Sequence, residues 1–298
     1  VRAFVTGASG FVGGWLQRHL EACGDDVEVL GPEVDVADAP AVAAALGEAR
    51  PDVVYHLAGL TQVAKSWEQP EETLRVNAGG TLSVVEAARG CARAPRVVVV
   101  SSAEVYGHGD GEPLREESPL RPVTPYAASK VAAEFIGLQA HLGRGLDVVR
   151  VRPFNHVGPG QSSAFVVAAL AARIAAAEAS GTTSVPVGNL SPARDFTDVR
   201  DVVRAYRLLA AQGAAGEVYN VCSGRAVPIS ELAALLVSAS GTKVELVEDP
   251  SLLRPVDVPV LVGDAAKLYA LTGWRPEIPL ELTLADVLDD ARCRLSGS

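Results

Sequence analysis

A short apolar strand, Arg2-Ala3-Phe4-Val5, runs straight into Thr6-Gly7-Ala8-Ser9-Gly10-Phe11-Val12-Gly13, and no other stretch restricts the fold so tightly. Phe11, Val12, Trp15, Leu16, His19, Leu20 and Cys23 then recur at helical spacing. The backbone must therefore turn sharply between strand and helix. Gly7 and Gly10 permit that turn without side chains in the way, and Gly13 lets the helix pack closely on the sheet. A helix N-terminus placed there offers unpaired N–H groups and a partial positive charge to a pyrophosphate. Strand, glycine turn and helix together predict a dinucleotide-binding unit.

The rest of the first half supports that expectation. Strands are expected at Arg2–Val5, Val27–Leu30, Val53–Leu57, Arg96–Val100 and Leu146–Val151, and helices at Phe11–Cys23, Ala39–Ala49, Glu71–Arg89 and Tyr126–Leu142. Alternation at this spacing predicts an α/β fold, a Rossmann-type doubly wound parallel sheet covered on both faces. Val97-Val98-Val99-Val100 reads as its central strand, and ligands should lie beyond the carboxyl ends of the strands. After Pro153 the pattern loosens, with helices at Ser163–Ser180 and Val199–Ala211 and strands at Ser184–Val187 and Val218–Val221. The expected division is 1–155 plus 196–222 for the dinucleotide and 156–195 plus 223–298 for a smaller, discontinuous α/β lid.

Tyr126-Ala127-Ala128-Ser129-Lys130 adds chemistry. A phenol and an ammonium four residues apart share one helix face. An ordinary tyrosine, with a pKa of about 10, is a poor proton donor or acceptor at neutral pH, and a nearby ammonium is expected to lower that pKa. Lys130 is also placed to hold the cofactor ribose. Ser101-Ser102 at the end of the central strand supplies hydroxyls, Ser102 being the candidate partner of the substrate oxygen that Tyr126 protonates.

Composition narrows the partners. A net charge of −10 with no compensating basic run argues against nucleic acid. Cys23, Cys91, Cys222 and Cys293 show no metal or redox spacing, so no metal site and reduced cytoplasmic thiols are expected. The first strand starts almost at once, which predicts no signal peptide. Ala164–Ala179 is interrupted by Arg173 and Glu178 and is too short for a membrane span.

These motifs, with Asp35-Val36, His56-Leu57-Ala58-Gly59, Asn77, Ser101 through Gly107, Arg152 through Gln161, Asn189 and Arg194 through Val199, resemble the extended short-chain dehydrogenase/reductases that act on nucleotide-activated sugars. The resemblance covers essentially the whole chain. Within that branch it is closest to the GDP-4-keto-6-deoxy-D-mannose reductases, which form GDP-D-rhamnose. It implies NAD(P)H-dependent reduction of a C4 ketone, with Ser102, Tyr126, Lys130 and Glu104 as the catalytic group. It implies cofactor contacts from Gly7, Gly10, Phe11, Val12, Asp35, Val36, Leu57, Ala58, Gly59, Asn77, Tyr126, Lys130 and Pro153. The nucleotide sugar would be held by Ser102, Glu104, Asn155, Gln161, Asn189, Arg194 and Arg254, the two arginines on its diphosphate. His156 is expected to be structural, and Tyr106 and Trp67 to pack near the site.

The alternatives from the same resemblance are a 4-epimerase and a 4,6-dehydratase, both recycling bound NAD(P). Glu104 stands where dehydratases place a glutamate, but Ala103 replaces the aspartate of the dTDP-glucose enzymes. A homodimer is also expected, through Glu71–Arg89 and the helix bearing Ala127, Ala128, Ala132, Ala133 and Gly137. The cofactor signal is divided. The resemblance suggests NADPH. No lysine or arginine lies between Arg18 and Arg50, however, and Glu33 stands about 20 residues past the glycines, where an NAD-binding acid is expected. Use of both NADP and NAD is the expectation.

Overall fold

The computed structural model describes residues 1–109, 111–252 and 258–296. Six parallel strands form the central sheet: β1 (Arg2–Thr6), β2 (Asp26–Val29), β3 (Val53–His56), β4 (Arg96–Val100), β5 (Val148–Pro153) and, from later in the chain, β9 (Val218–Val221). Their order is β2-β1-β3-β4-β5-β9. Val97, Val98 and Val99 on β4 have no solvent exposure, each contributing roughly 1.5–3 kcal/mol of apolar burial. The order reverses between β1 and β3, so a crevice opens at their carboxyl ends. Gly7 and Ala58 flank that crevice.

Helices α1 (Phe11–Ala22), α2 (Ala39–Ala49), α5 (Gly80–Gly90), α6 (Pro125–Arg144) and α8 (Val199–Gln212) cover the sheet, with short helices α3 (Val63–Glu68) and α4 (Pro70–Leu74) ahead of α5. The stretch expected as one helix over Glu71–Arg89 is divided by a π-turn at Arg75–Gly79. α6 starts where Thr124 accepts the Ala127 N–H and Pro125 occupies the first turn, and it ends at left-handed Gly145.

A second layer surrounds β8 (Ala193–Asp198), which pairs in parallel with β6 (Asn155–Val157) and β12 (Val260–Leu261) and antiparallel with β10 (Ala226–Pro228). β7 (Ser184–Val187) pairs with β11 (Glu245–Glu248). Helices α7 (Val166–Ser180), α9 (Ile229–Ser240) and α11 (Leu280–Ser296) pack together through Leu170, Ile174, Leu232, Leu236, Leu284 and Leu288. Leu268, on α10 (Ala266–Thr272), and Trp274 join the core under the central sheet instead. Trp274 Nε1 donates to the Asp201 carbonyl of α8. No helix among the described residues is long and apolar enough to cross a membrane.

Candidate active site

The glycine turn is built by close approach. Gly7 has φ +77°, and a β-carbon there would sit 2.7 Å from the Ala58 nitrogen. One on Gly13 would lie 2.7 Å from the α-carbon of Ala8. Gly10 caps α1 without a side-chain hydrogen bond and no acid lies in the first turn. The helix thus presents its first N–H groups to the crevice, which is what a pyrophosphate requires. The residues present fit a dinucleotide.

A buried relay ties the walls of this crevice together. The Ala58 N–H donates to Thr6 Oγ1 at 3.2 Å, and Thr81 Oγ1 donates to the Asn77 carbonyl at 2.7 Å. Thr6 Oγ1 lies 2.8 Å from His56 Nδ1, and His56 Nε2 lies 3.0 Å from Thr81 Oγ1. Because the Thr81 proton is already directed at Asn77, Nε2 carries the imidazole proton and Nδ1 accepts from Thr6. Burial and the nearby Lys130 charge push His56 down to about 3, so it is a neutral strut. The sequence assigned His56 no role; its place at the end of a buried strand between two threonines was the only signal.

Asn77 sits on the π-turn, a geometry common at functional sites. Its amide accepts from Leu60 N at 2.7 Å and donates to the Leu60 carbonyl and to Ser129 Oγ. Ser129 in turn donates to the Tyr126 carbonyl at 2.7 Å, and the Tyr126 N–H donates to Ser66 Oγ. Asn77, expected at the cofactor, therefore spends most of its hydrogen bonds binding the crevice floor to the first turn of α6.

Tyr126 and Lys130 are both buried on α6 beside Ser102. Burial pushes the Tyr126 phenol up to about 12; its hydrogen bond with Ser102 opposes the rise and the Glu104 carboxylate adds to it. Lys130 Nζ donates to the Val100 carbonyl at 3.0 Å, and burial brings its ammonium down to about 8. The expected lowering of the tyrosine pKa by this ammonium is absent because desolvation dominates both groups. A β-carbon on Gly59 would lie 3.5 Å from Lys130 Nζ, so Lys130 does border the Ala58-Gly59 wall.

Ser102 also accepts the Glu104 N–H, starting a 3-10 turn over Ala103–Tyr106. Glu104 opens onto a cavity of about 270 Å³ lined also by Asn155, Arg173, Asn189 and Arg194. Glu104 is its only lining carboxylate among the described residues. Asn189 Oδ1 accepts from Ser191, and Arg194 donates to its neighbour's carbonyl. Gln161 is not in the lining; its amide is buried and donates to the His156 carbonyl. Arg254 lies outside the described residues. Asp35 is exposed, with its carboxylate on the Ala37 N–H and Arg75 at 2.7 Å, which hold its pKa below the usual range. Val36 packs against Gly80 at the start of α5. Leu57 and Pro153 end up at the carboxyl edge of the sheet, beside the crevice.

Phe11 and His156 stack with centroids 6.2 Å apart, joining the glycine turn to β6. His156 Nδ1 donates to the Phe154 carbonyl, a structural arrangement. Tyr106 is buried, with its hydroxyl donated to Asn220 at 2.7 Å. Trp67 is 55% exposed and does not pack as expected, because the short α3 points it outward.

The model of the family described as GDP-mannose 4,6 dehydratase matches residues 32–287. GDP-6-deoxy-D-mannose reductase of Pseudomonas aeruginosa is 39% identical over 99% of this chain and 98% of its own. The structure of RMD from P. aeruginosa complexed with NADPH superposes with a TM-score of 0.91 at 37% identity, covering 99% of this chain and 100% of that one. UDP-glucose 4-epimerase of Thermus thermophilus, in complex with NAD, gives 0.87 at 31% identity over 98% and 99% of the two chains.

Proposed function

Because the chain belongs to the extended short-chain dehydrogenase/reductases, in the family described as GDP-mannose 4,6 dehydratase, we propose that it reduces the C4 ketone of a nucleotide-activated 4-keto-6-deoxyhexose. The substrate and product assigned are GDP-4-keto-6-deoxy-D-mannose and GDP-D-rhamnose. The observation that carries this reading is the near full-length similarity to GDP-6-deoxy-D-mannose reductase combined with Ser102, Tyr126 and Lys130 gathered beside a fitted dinucleotide crevice. Dehydration would need an acid–base pair at C5 and C6, and among the described residues the sugar-side cavity is lined by one carboxylate, Glu104.

A reduced nicotinamide held in the crevice would provide hydride for C4. Tyr126 remains protonated at neutral pH and donates its proton to the forming hydroxyl, while Ser102, already bonded to the phenol, holds the ketone oxygen. Lys130 holds the ribose and keeps a positive charge next to the site. Arg194 and Arg254 take the diphosphate. The cofactor half comprises 1–155 with 196–222, and the sugar half 156–195 with 223–298, the stretch around Leu268 and Trp274 being seated on the cofactor half.

The test is turnover with GDP-4-keto-6-deoxy-D-mannose and NADH or NADPH, following nicotinamide absorbance and product identity. Stoichiometric oxidation with a GDP-6-deoxyhexose product is expected, whereas redox-neutral conversion would give the reaction to an epimerase or dehydratase. The same assay has an expected pH dependence. Lys130 loses its charge as pH rises through about 8, while Tyr126 keeps its proton to about 12. kcat/KM therefore falls on the alkaline side from about 8, and Lys130→Arg moves that limb to higher pH. A flat profile to pH 10 rejects the role of Lys130.

A homodimer is the proposed assembly, in the cytoplasm. Leu82 on α5 and Ala128, Phe135 and Leu142 on α6 are exposed, Phe135 and Leu142 by 50% and 74%. Of the small residues expected at such a contact, Ala127 and Ala133 are buried, and Gly137 faces Val99 and Val148 of the sheet, because helical spacing turns them inward. Phe135→Glu with Leu142→Glu is expected to halve the mass in light scattering; an unchanged mass places any dimer contact elsewhere. All four cysteines are free thiols.

A further inference from the structure

Four passages of the chain between the central sheet and the sugar-side layer converge on one point. Phe154 joins β5 to β6, β8 runs into α8, Cys222 to Gly224 lead from β9 towards β10, and Gly263 lies between β12 and α10. Asp195, on β8, has no solvent exposure and stands at their meeting place. Its Oδ1 accepts the Ser223 N–H at 2.7 Å and the Ser223 hydroxyl at 2.6 Å. Its Oδ2 accepts the N–H groups of Gly224 at 2.9 Å and Gly263 at 3.2 Å. The remaining passage packs on the same junction. A β-carbon on Gly263 would sit 2.6 Å from the Phe154 ring and 2.7 Å from Cys222 Sγ, and Phe154 N donates to the Val221 carbonyl.

Burial pushes the Asp195 carboxyl above its usual range, and the four donors pull against that rise. One side chain thus holds turns that lie 28 and 68 residues further along the chain. Neighbouring residues of a strand point to opposite faces, and Arg194 accordingly lines the cavity that Glu104 and Asn155 also line. Arg194 stands in register with Val227 of β10 and with Leu261 of β12. The turns that place those two flanking strands, at Ser223-Gly224 and at Gly263, are the ones that Asp195 holds.

We propose that Asp195 is a positioning residue for the substrate: by tying these passages together it fixes the seat of β8, and with it the reach of Arg194 towards the diphosphate. This inference rests on the nucleotide-sugar reading, in which Arg194 takes the diphosphate.

The experiment titrates GDP, NADPH and NADH separately into the purified full chain, by calorimetry, for the wild type, Asp195→Asn and Ser223→Ala. Asp195→Asn keeps the shape but turns an N–H₂ group towards donors at one of the two oxygens. It is expected to weaken GDP about tenfold, with the affinity for either nicotinamide nucleotide held within about twofold. In turnover the same variant is expected to raise KM for the keto sugar while kcat stays within about threefold. Ser223→Ala removes only the hydroxyl donor and is expected to weaken GDP about threefold; it carries the test if Asp195→Asn does not fold. An unchanged GDP affinity in Asp195→Asn, or in Ser223→Ala where the first does not fold, overturns the proposal. So does an equal loss of GDP and nicotinamide nucleotide, which is what a general structural role would give. Both results leave the nucleotide-sugar reading standing. A wild type that binds a nicotinamide nucleotide but not GDP overturns that reading and this one with it.

Discussion

Tyr126→Phe lowers kcat for ketone reduction by about 10²–10⁴-fold, the span associated with losing a positioned proton donor, while cofactor affinity stays within about twofold of wild type. The expected selectivity follows from where the phenol sits. Its oxygen is bonded to Ser102 in the chain alone, and the backbone of residue 126 is held independently by Ser66 and Ser129. Removing one oxygen therefore leaves the helix, Lys130 and the crevice wall in place. Burial has already set the phenol's pKa at about 12, so at pH 7 the residue is a proton donor in waiting, suited to a developing alkoxide and poorly suited to abstract a proton before the cofactor and substrate arrive. The measurement is steady-state kinetics with a binding titration alongside. Loss of kcat with unchanged cofactor affinity assigns the proton to Tyr126; retention of turnover within tenfold moves the donor elsewhere, Glu104 on the turn after Ser102 being the next group.

The sequence made part of this site legible for a physical reason. Gly7, Gly13, Tyr126 and Lys130 each answer a requirement that few residue types can meet: a positive φ, a close helix–strand contact, or a phenol and an amine on one helix face. Alternation of apolar runs likewise delivered the parallel sheet and the position of β4. Other features depend on contacts between distant segments. The periodicity of residues 71–89 is nearly the same with or without one extra residue in a turn, so the π-turn that aims Asn77 at Leu60 and Ser129 was invisible. The small residues Ala127, Ala133 and Gly137 suit close packing against any partner, so spacing alone does not choose between a second helix and the sheet. Gly137 instead meets Val99 and Val148 of the sheet, while Ala127 and Ala133 are buried. Lys130 is the sharpest case: it shares α6 with Tyr126, as the spacing predicts, but its ammonium is directed at the Val100 carbonyl, and burial outweighs any pairwise charge effect on Tyr126.

The scaffold that carries Tyr126 makes a second large effect predictable. Glu134, two turns further along α6, has no solvent exposure and faces two arginines of β5. Arg152 Nε donates to one carboxylate oxygen at 2.9 Å while Arg150 Nη1 reaches the other at 3.2 Å. Arg152 continues to the Tyr106 hydroxyl and the Glu116 carbonyl, and Tyr106 to Asn220 on β9. One carboxylate therefore bridges two buried guanidiniums, offsetting one of their two charges, and connects α6, β5, the Ser102 turn and β9. Glu134→Gln keeps the shape and removes the charge. It also turns an amide N–H₂ towards guanidinium N–H groups, so at least one donor is left facing another. Breaking a buried pair from one side costs about 3–5 kcal/mol, which in a chain of this length lowers Tm by on the order of 10 °C. The two arginines cannot escape by losing protons at neutral pH, since a guanidinium is effectively always charged. Calorimetric melting of wild type and Glu134→Gln tests this. A shift below about 2 °C would mean that water or Glu116 takes over the guanidiniums and that the carboxylate is not what locks α6 to β5. The expected large shift, with residual activity at low temperature, identifies Glu134 as the anchor that holds the catalytic helix against the sheet.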